Sequence, residues 1–313
     1  MKVLVTGGAG FIGRWVVRKL ISDGVDVWVL DDLSNGKESN VQEFLSAGNY
    51  HGLTVGDVSD VACVERMFDN GLDVCVHAAA QINVQESLDH PDKSFRVNVV
   101  GTHNILRVSL RSRTRVVVVG TCMVYDTALK GGIAEDAPVK PSSPYAGAKL
   151  AAENMALSYH HGLGLPVVIL RPFNTYGPFQ KSNMEGGVVS IFVRNKLAGE
   201  KLRVFGDGTQ TRDLLYVEDC ADFIVNAASS TMAVGEIING GTGVDVTIND
   251  LARMICGDSK RIEHVPHHHP QSEIPRLLCD NAKAKRLLNW QPRTSLEEGL
   301  RKTEQWIMDR ETD

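Results

Sequence analysis

A chain of 313 residues, 43% hydrophobic and 23% charged, can bury a full core and is expected to hold one large domain and a smaller one. Its formal charge of −5, with acids and bases interspersed, excludes the basic stripe of a nucleic-acid binder and the cationic cluster of a protein drawn to anionic lipid. No apolar run approaches the roughly 20 residues that span a bilayer, and Met1 leads directly into the first predicted strand without room for a signal peptide, so a cytoplasmic small-molecule protein is expected.

The chain opens on Lys2-Val3-Leu4-Val5, a short apolar run that reads as a strand. Thr6-Gly7-Gly8-Ala9-Gly10-Phe11-Ile12-Gly13 comes next, then Trp15, Val16, Val17 and Leu20 at helical spacing up to Gly24, and a second strand over residues 25–30. Glycines in such a turn let backbone approach a pyrophosphate, whose charge is favoured by the free N–H groups and dipole of the helix N-terminus. Gly7, Gly10, Phe11, Ile12 and Gly13 are therefore cofactor-binding candidates. Asp31 closes the second strand, where a carboxylate bonds a ribose 2′-hydroxyl and repels a 2′-phosphate, so NAD is expected over NADP.

Further β-rich runs at 53–55, 73–77, 115–120 and 167–171 alternate with helical stretches such as 61–68 and 95–110. Alternation of this kind predicts an α/β fold, a doubly wound parallel sheet of Rossmann type, with ligands at the carboxyl ends of its strands. In Ser143-Pro144-Tyr145-Ala146-Gly147-Ala148-Lys149 the serine reads as an N-cap, the proline as the first helical residue, and Gly162 as the stop, giving a helix over 144–161. Tyr145 and Lys149 then share one helix face. A phenol with a pKa of roughly 10 is a poor base at neutral pH, and an adjacent ammonium and a cationic nicotinamide would both stabilise its phenolate. On its own the pair reads better as part of an ordinary surface helix; the nucleotide-binding N-terminus is what ties it to redox chemistry on an alcohol.

After Arg171-Pro172 the rhythm breaks into glycine-rich loops at Gly177-Pro178, Gly186-Gly187 and Gly206-Asp207-Gly208. Residues 1–173 are expected to form the NAD-binding domain and 174–313 a mainly substrate-binding, smaller mixed domain, with some segments returning to the first. His264, His267, His268 and His269 lie in an irregular stretch without paired carboxylate or cysteine spacing, so a solvated loop is expected and no metal site. Cys63, Cys75, Cys122, Cys220, Cys256 and Cys279 are scattered without Cys-x-x-Cys spacing and read as reduced thiols.

These pieces stand in an order that resembles the extended short-chain dehydrogenase/reductase family, in particular its nucleotide-sugar epimerases and dehydratases. The matching motifs are Thr6-Gly7-x-x-Gly10-x-x-Gly13, Gly56-Asp57, His77-Ala78-Ala79-Ala80, Asn98, Thr121-x-x-Val124-Tyr125, Tyr145-x-x-x-Lys149, Arg171-Pro172-Phe173-Asn174-x-Tyr176-Gly177-Pro178, Arg212-Asp213 and Tyr216-Val217-x-Asp219. The resemblance implies Tyr145 as base and acid for a sugar hydroxyl, Lys149 on the nicotinamide ribose, and Thr121 bonded to the reacting oxygen. It places Asp57, with Val58 beside it, at the adenine, Ala78, Ala79 and Ala80 along the cofactor, and Asn174 and Arg212 at the diphosphate of a nucleotide-sugar substrate. Asn98 is equally read as an ordinary structural hydrogen-bonding residue. The resemblance further implies a homodimer built through the helices at 95–110 and 144–161.

The two residues after Thr121 bear on the reaction. Dehydratases of this family place an acidic pair there and its decarboxylases a glutamate, whereas this chain has Cys122-Met123. A thioether takes no proton and a buried thiol is a weak acid, so the pair looks like that of the 4-epimerases, with a UDP-hexose or UDP-N-acetylhexosamine as the expected substrate. Two other readings stand beside it: a 4,6- or 5,6-dehydratase using Cys122, which is equally a thiol packed under the nucleotide, and a non-catalytic NAD-binding regulatory protein. Pro270-Gln271-Ser272-Glu273 stands where relatives carry Arg-Pro-Gly-Asp, leaving Arg276 or the nearby histidines to replace the missing nucleotide contact.

Overall fold

The computed structural model describes residues 1–126, 131–181, 187–267, 270 and 273–311. In chain order the strands are β1 (Lys2–Thr6), β2 (Asp26–Asp31), β3 (Tyr50–Val55), β4 (Val74–His77), β5 (Arg115–Val119), β6 (Val167–Pro172), β7 (Asn174–Tyr176), β8 (Leu202–Phe205), β9 (Thr211–Tyr216), β10 (Ile237–Gly240), β11 (Asp245–Thr247), β12 (Ile262–Val265) and β13 (Arg276–Leu277). The helices are α1 (Phe11–Ser22), α2 (Val61–Phe68), α3 (Val84–Asp89), α4 (Pro91–Phe95), α5 (Gly101–Ser112), α6 (Pro144–Leu163), α7 (Val188–Leu197), α8 (Val217–Ser229), α9 (Ile248–Cys256), α10 (Ala282–Leu288) and α11 (Leu296–Glu311).

Among the described residues the main sheet is seven-stranded and wholly parallel, in the order β10-β6-β5-β4-β1-β2-β3. Successive side chains of a strand point to opposite faces, and the inner strands β1, β4 and β5 are apolar on both. Val3, Val5, Val74, Val76, Val117 and Val119 pack with α1 and α8 on one side; Leu4, Cys75, Val116 and Val118 pack with α2, α5 and α6 on the other. Full burial of each such side chain contributes about 1.5–3 kcal/mol, and the two covered faces make the doubly wound, Rossmann-type arrangement. A third apolar cluster joins α7, α9 and α11 over β8 and β9. There β9 pairs with β11, β13 and β7, while β8 pairs with β12.

Helix α2 occupies the predicted span. The helix at 95–110 is longer than predicted: α4 and α5 are joined by a π-helical turn, Arg96–Val100. Helix α6 begins as predicted, with Ser143 Oγ accepting from Ala146 N at 3.2 Å and Pro144 at the first position. Gly162 does not stop it. The chain turns at Gly164, whose φ of 72° is the left-handed conformation a C-terminal cap needs, and whose N–H donates to His160 O.

Five of the six cysteines are buried and Cys256 is partly so, and all are free. His264 shares a hydrogen bond with Asn249 Oδ1, and His267 with Glu273 Oε2; His268, His269, Gln271, Ser272 and Gly186 lie outside the described residues. Among the described residues no helix is long and apolar enough to cross a membrane.

Candidate active site

A cavity of about 860 Å³ opens at the carboxyl ends of β1, β2, β4, β5 and β6, where a doubly wound sheet leaves its crevice. All the cofactor-binding residues expected from the sequence line it: Gly7, Gly10, Phe11, Ile12, Gly13, Asp31, Asp57, Val58, Ala78, Ala79, Ala80, Tyr145 and Lys149. Gly7 has a φ of 71°, and a Cβ there would lie 2.7 Å from Ala79 N. At Gly13 a Cβ would strike the Gly7 carbonyl, so this glycine lets α1 pack directly against the loop. Gly10 caps α1 with no side-chain hydrogen bond, leaving first-turn N–H groups free for an anion. These features fit the pyrophosphate of a dinucleotide.

Asp31 is buried; its Oδ2 accepts from Ala9 N at 3.0 Å and its Oδ1 from Leu33 N at 2.9 Å. Burial raises its pKa, and the two N–H bonds oppose that rise. Asp57 Oδ1 accepts from Ser59 N at 2.7 Å, and its carboxylate lies 3.7 Å from Arg96. The Ala78–Ala80 wall is held from behind: His77 shares hydrogen bonds with Thr6 Oγ1 at 2.8 Å and Thr102 Oγ1 at 3.0 Å. Asn98, in the π-helical turn, accepts from Gln81 N at 2.9 Å and donates to Gln81 O at 3.0 Å. Its contacts are thus with the loop that forms the wall.

Thr121, Tyr145 and Lys149 line the same cavity. Thr121 follows β5, and its Oγ1 accepts from Met123 N at 3.2 Å. Tyr145 and Lys149 come one turn apart from the start of α6, whose entry is also fixed by Ser87 Oγ accepting from Tyr145 N at 3.1 Å. Lys149 Nζ donates to Val119 O at 2.6 Å, tying the ammonium to the end of β5. Burial pushes the Tyr145 phenol up to about 12, and its hydrogen bond with Thr121 acts against that rise. Burial pushes Lys149 down to about 8, opposed by the carboxylate of Glu153.

Cys122, Met123 and Asn174 line the cavity beside this group. Cys122 is 3% exposed, and burial pushes its thiol up to about 12. Asn174 Nδ2 is buried without a hydrogen-bond partner, a donor available to a bound oxygen. Arg212 and Arg276 are not among the lining residues. Arg212 Nη1 donates to Thr211 O and Ile274 O, and Nη2 pairs with Glu273; Arg276 Nε donates to Asp245 Oδ2 at 3.0 Å.

The structure also brings in residues without a motif. Lys181, Arg194 and Arg310 reach the cavity with Phe179 and Trp306, and the Arg310 guanidinium lies 4.6 Å from the Phe179 ring centroid. They come from segments far apart in the chain, and no spacing in the sequence announces their meeting. Glu153 was legible in principle, since it follows Lys149 by four residues.

Comparison with known proteins identifies the family. The family model of GDP-mannose 4,6 dehydratase matches residues 4–303. A crystal structure of Pal from Bacillus thuringiensis is 54% identical, superposes with a TM-score of 0.97, and is covered over 100% of its length by 99% of this chain. A UDP-glucose 4-epimerase of Mycolicibacterium smegmatis is 36% identical over 99% of both chains. The dTDP-glucose 4,6-dehydratase DesIV of Streptomyces venezuelae, solved with NAD bound, is 30% identical with a TM-score of 0.93 over 100% of this chain and 98% of its own. From its nucleotide-binding turn to its Tyr-Lys helix, the chain belongs to the GDP-mannose 4,6-dehydratase family of extended short-chain dehydrogenase/reductases, whose similar members are nucleotide-sugar epimerases, dehydratases and decarboxylases.

Proposed function

We propose that this protein is an NAD-dependent nucleotide-sugar epimerase that inverts C4 of a UDP-hexose or UDP-N-acetylhexosamine through a transient 4-keto sugar. The observation that carries the reading is the placement of carboxylates. Among the described residues lining the cavity the acids are Asp31, Asp32 and Asp57, all at the ends of β2 and β3. Beside Thr121 and Tyr145 stand Cys122 and Met123 instead. An elimination needs a group to take the C5 proton and another to protonate the leaving hydroxyl; a 4-epimerisation needs only a proton held at O4.

Tyr145 takes the O4 proton as the alcohol is oxidised and returns it as the ketone is reduced. Thr121 holds the same oxygen by a hydrogen bond, and Lys149 holds the nicotinamide ribose. NAD, when bound, would supply a hydride acceptor for C4 and the hydride for the opposite face of the ring. Asn174 donates to the diphosphate, anchoring it while the sugar turns. For Arg212 and Arg276 to serve there as well, each must exchange its carboxylate partner, Glu273 or Asp245, for phosphate oxygens. A division at residue 173 into NAD-binding and mainly substrate-binding parts, and a homodimer through α4–α5 and α6, belong to the same proposal.

The place of Cys122 in the cavity lining favours a second reading, a dehydratase with the thiol as acid or base; burial of that thiol weighs against it. Incubation with UDP-glucose, UDP-N-acetylglucosamine and a GDP-sugar, followed by mass spectrometry and proton NMR, separates the two. The epimerase yields a product of unchanged mass, inverted at C4, with no external hydride donor. A product lighter by one water overturns it in favour of dehydration.

A further inference from the structure

Glu153 has no part in the chemistry above, yet it lies beneath it. It follows Lys149 by one helical turn, as Lys149 follows Tyr145, so the three share one face of α6. The residue is 1% exposed. Its Oε2 accepts from Arg171 Nε at 3.0 Å and from Nη2 at 2.7 Å; burial raises its pKa, and the Arg171 guanidinium, Lys149 and the Thr121 backbone N–H oppose that rise. Oε1 faces Gly120, where a Cβ would collide with it. The glycine that admits the carboxylate thus immediately precedes Thr121.

Packing gives no account of this arrangement. A buried ion pair is often no more stable than apolar side chains of the same volume. We propose that Glu153, held by Arg171, is a positioning residue that keeps Lys149 as an ammonium and fixes Thr121 and Tyr145 for proton transfer at the substrate hydroxyl. The proposal rests on the assignment of that proton transfer to Tyr145.

The titratable and charged groups facing this site are Tyr145 and Lys149 on α6, His77 from β4, Arg171 from β6, and Cys122 and Tyr125 after β5, with Glu135 behind Tyr125. The Arg171 guanidinium lies 4.6 Å from the Tyr125 ring centroid. The Glu153 charge raises the pKa of both Lys149 and Tyr145, so its removal lowers both.

Glu153→Gln keeps the shape and removes the charge. The test is the pH profile of turnover of UDP-N-acetylglucosamine by the NAD-loaded enzyme, together with the titration of Tyr145 followed by NMR of protein labelled with ¹³C at tyrosine Cζ. Both limbs of the profile and the Tyr145 titration are expected to move about one pH unit toward acid, the size of a neighbouring-charge effect. Glu153→Gln/Arg171→Gln, which removes both charges, covers the case in which the single variant does not fold, and should move the same way. A profile scaled down but unmoved, with an unmoved Tyr145 titration, overturns the proposal, as does failure of both variants to fold, which would assign Glu153 to stability alone. Tyr145→Phe is the control. Undiminished turnover in that variant removes the proton-transfer reading itself; lost turnover there with an unmoved Glu153→Gln profile removes only the role of Glu153.

Discussion

Replacing Tyr145 by phenylalanine separates chemistry from folding. Tyr145 is 8% exposed, and a phenyl ring keeps its packing, the Ser143 cap and the bond from its backbone N–H to Ser87 Oγ. What disappears is one hydroxyl and its hydrogen bond with Thr121. The loss for folding is about 1 kcal/mol, equivalent in a chain of this size to about 2 °C in Tm. The loss for catalysis is that of a general acid–base group, about 10²- to 10⁴-fold, or about 2.7–5.5 kcal/mol of barrier. The sign with pH comes from the raised phenol: a base pushed up to about 12 is mostly protonated at neutral pH, so the wild-type rate should climb as pH rises until Lys149, pushed down to about 8, loses its proton. The variant should lose that climb. Proton NMR of the nucleotide-sugar products across pH, with a calorimetric melt of each protein, measures both quantities. A variant within tenfold of wild type would refute the assignment, and a melt lowered by 10 °C would show that the hydroxyl serves the fold instead.

Asp31→Ala should weaken NAD binding by about 1.5–3 kcal/mol, the worth of a charge-assisted hydrogen bond, which is about ten- to hundredfold, and should narrow the preference over NADP. Titration calorimetry with both dinucleotides checks this, and tight NADP binding by the unmodified protein would contradict the role given to Asp31. His77 should make the fold acid-sensitive: burial pushes its imidazole down to about 3, whereas in the unfolded chain it binds a proton near pH 6.5. The unfolded state therefore gains protons that the native state refuses as pH falls from about 6.5 toward 3, and stability falls with it. His77→Gln should melt lower at pH 7.5 but lose less on moving to pH 5; parallel losses in the two proteins would exclude His77 as the cause.

The local cues in the sequence were sufficient for much of this fold. Strand, glycine turn and helix at residues 2–22, the alternation that built the parallel sheet, and the Ser143-Pro144 entry of α6 rest on hydrogen bonds and side-chain spacings within a few residues. The same spacing placed Tyr145 and Lys149 on one face. Even there, the end of the helix was decided by backbone geometry: Gly162 fits within α6, and Gly164 alone of the two adopts the left-handed turn. Long-range placement was another matter. That β10 lies beside β6, that Asn98 braces Gln81, that Arg212 spends its guanidinium on Glu273 and that Glu153 meets Arg171 under Gly120 are contacts between residues 17 to 68 positions apart. Such partners are chosen by the packing of whole elements against one another. The sequence determined which groups could do redox chemistry on an alcohol, because that depends on side-chain type and local spacing. Only the tertiary structure decided which charges surround them, because electrostatics in a buried site is set by neighbours that the chain brings together through space.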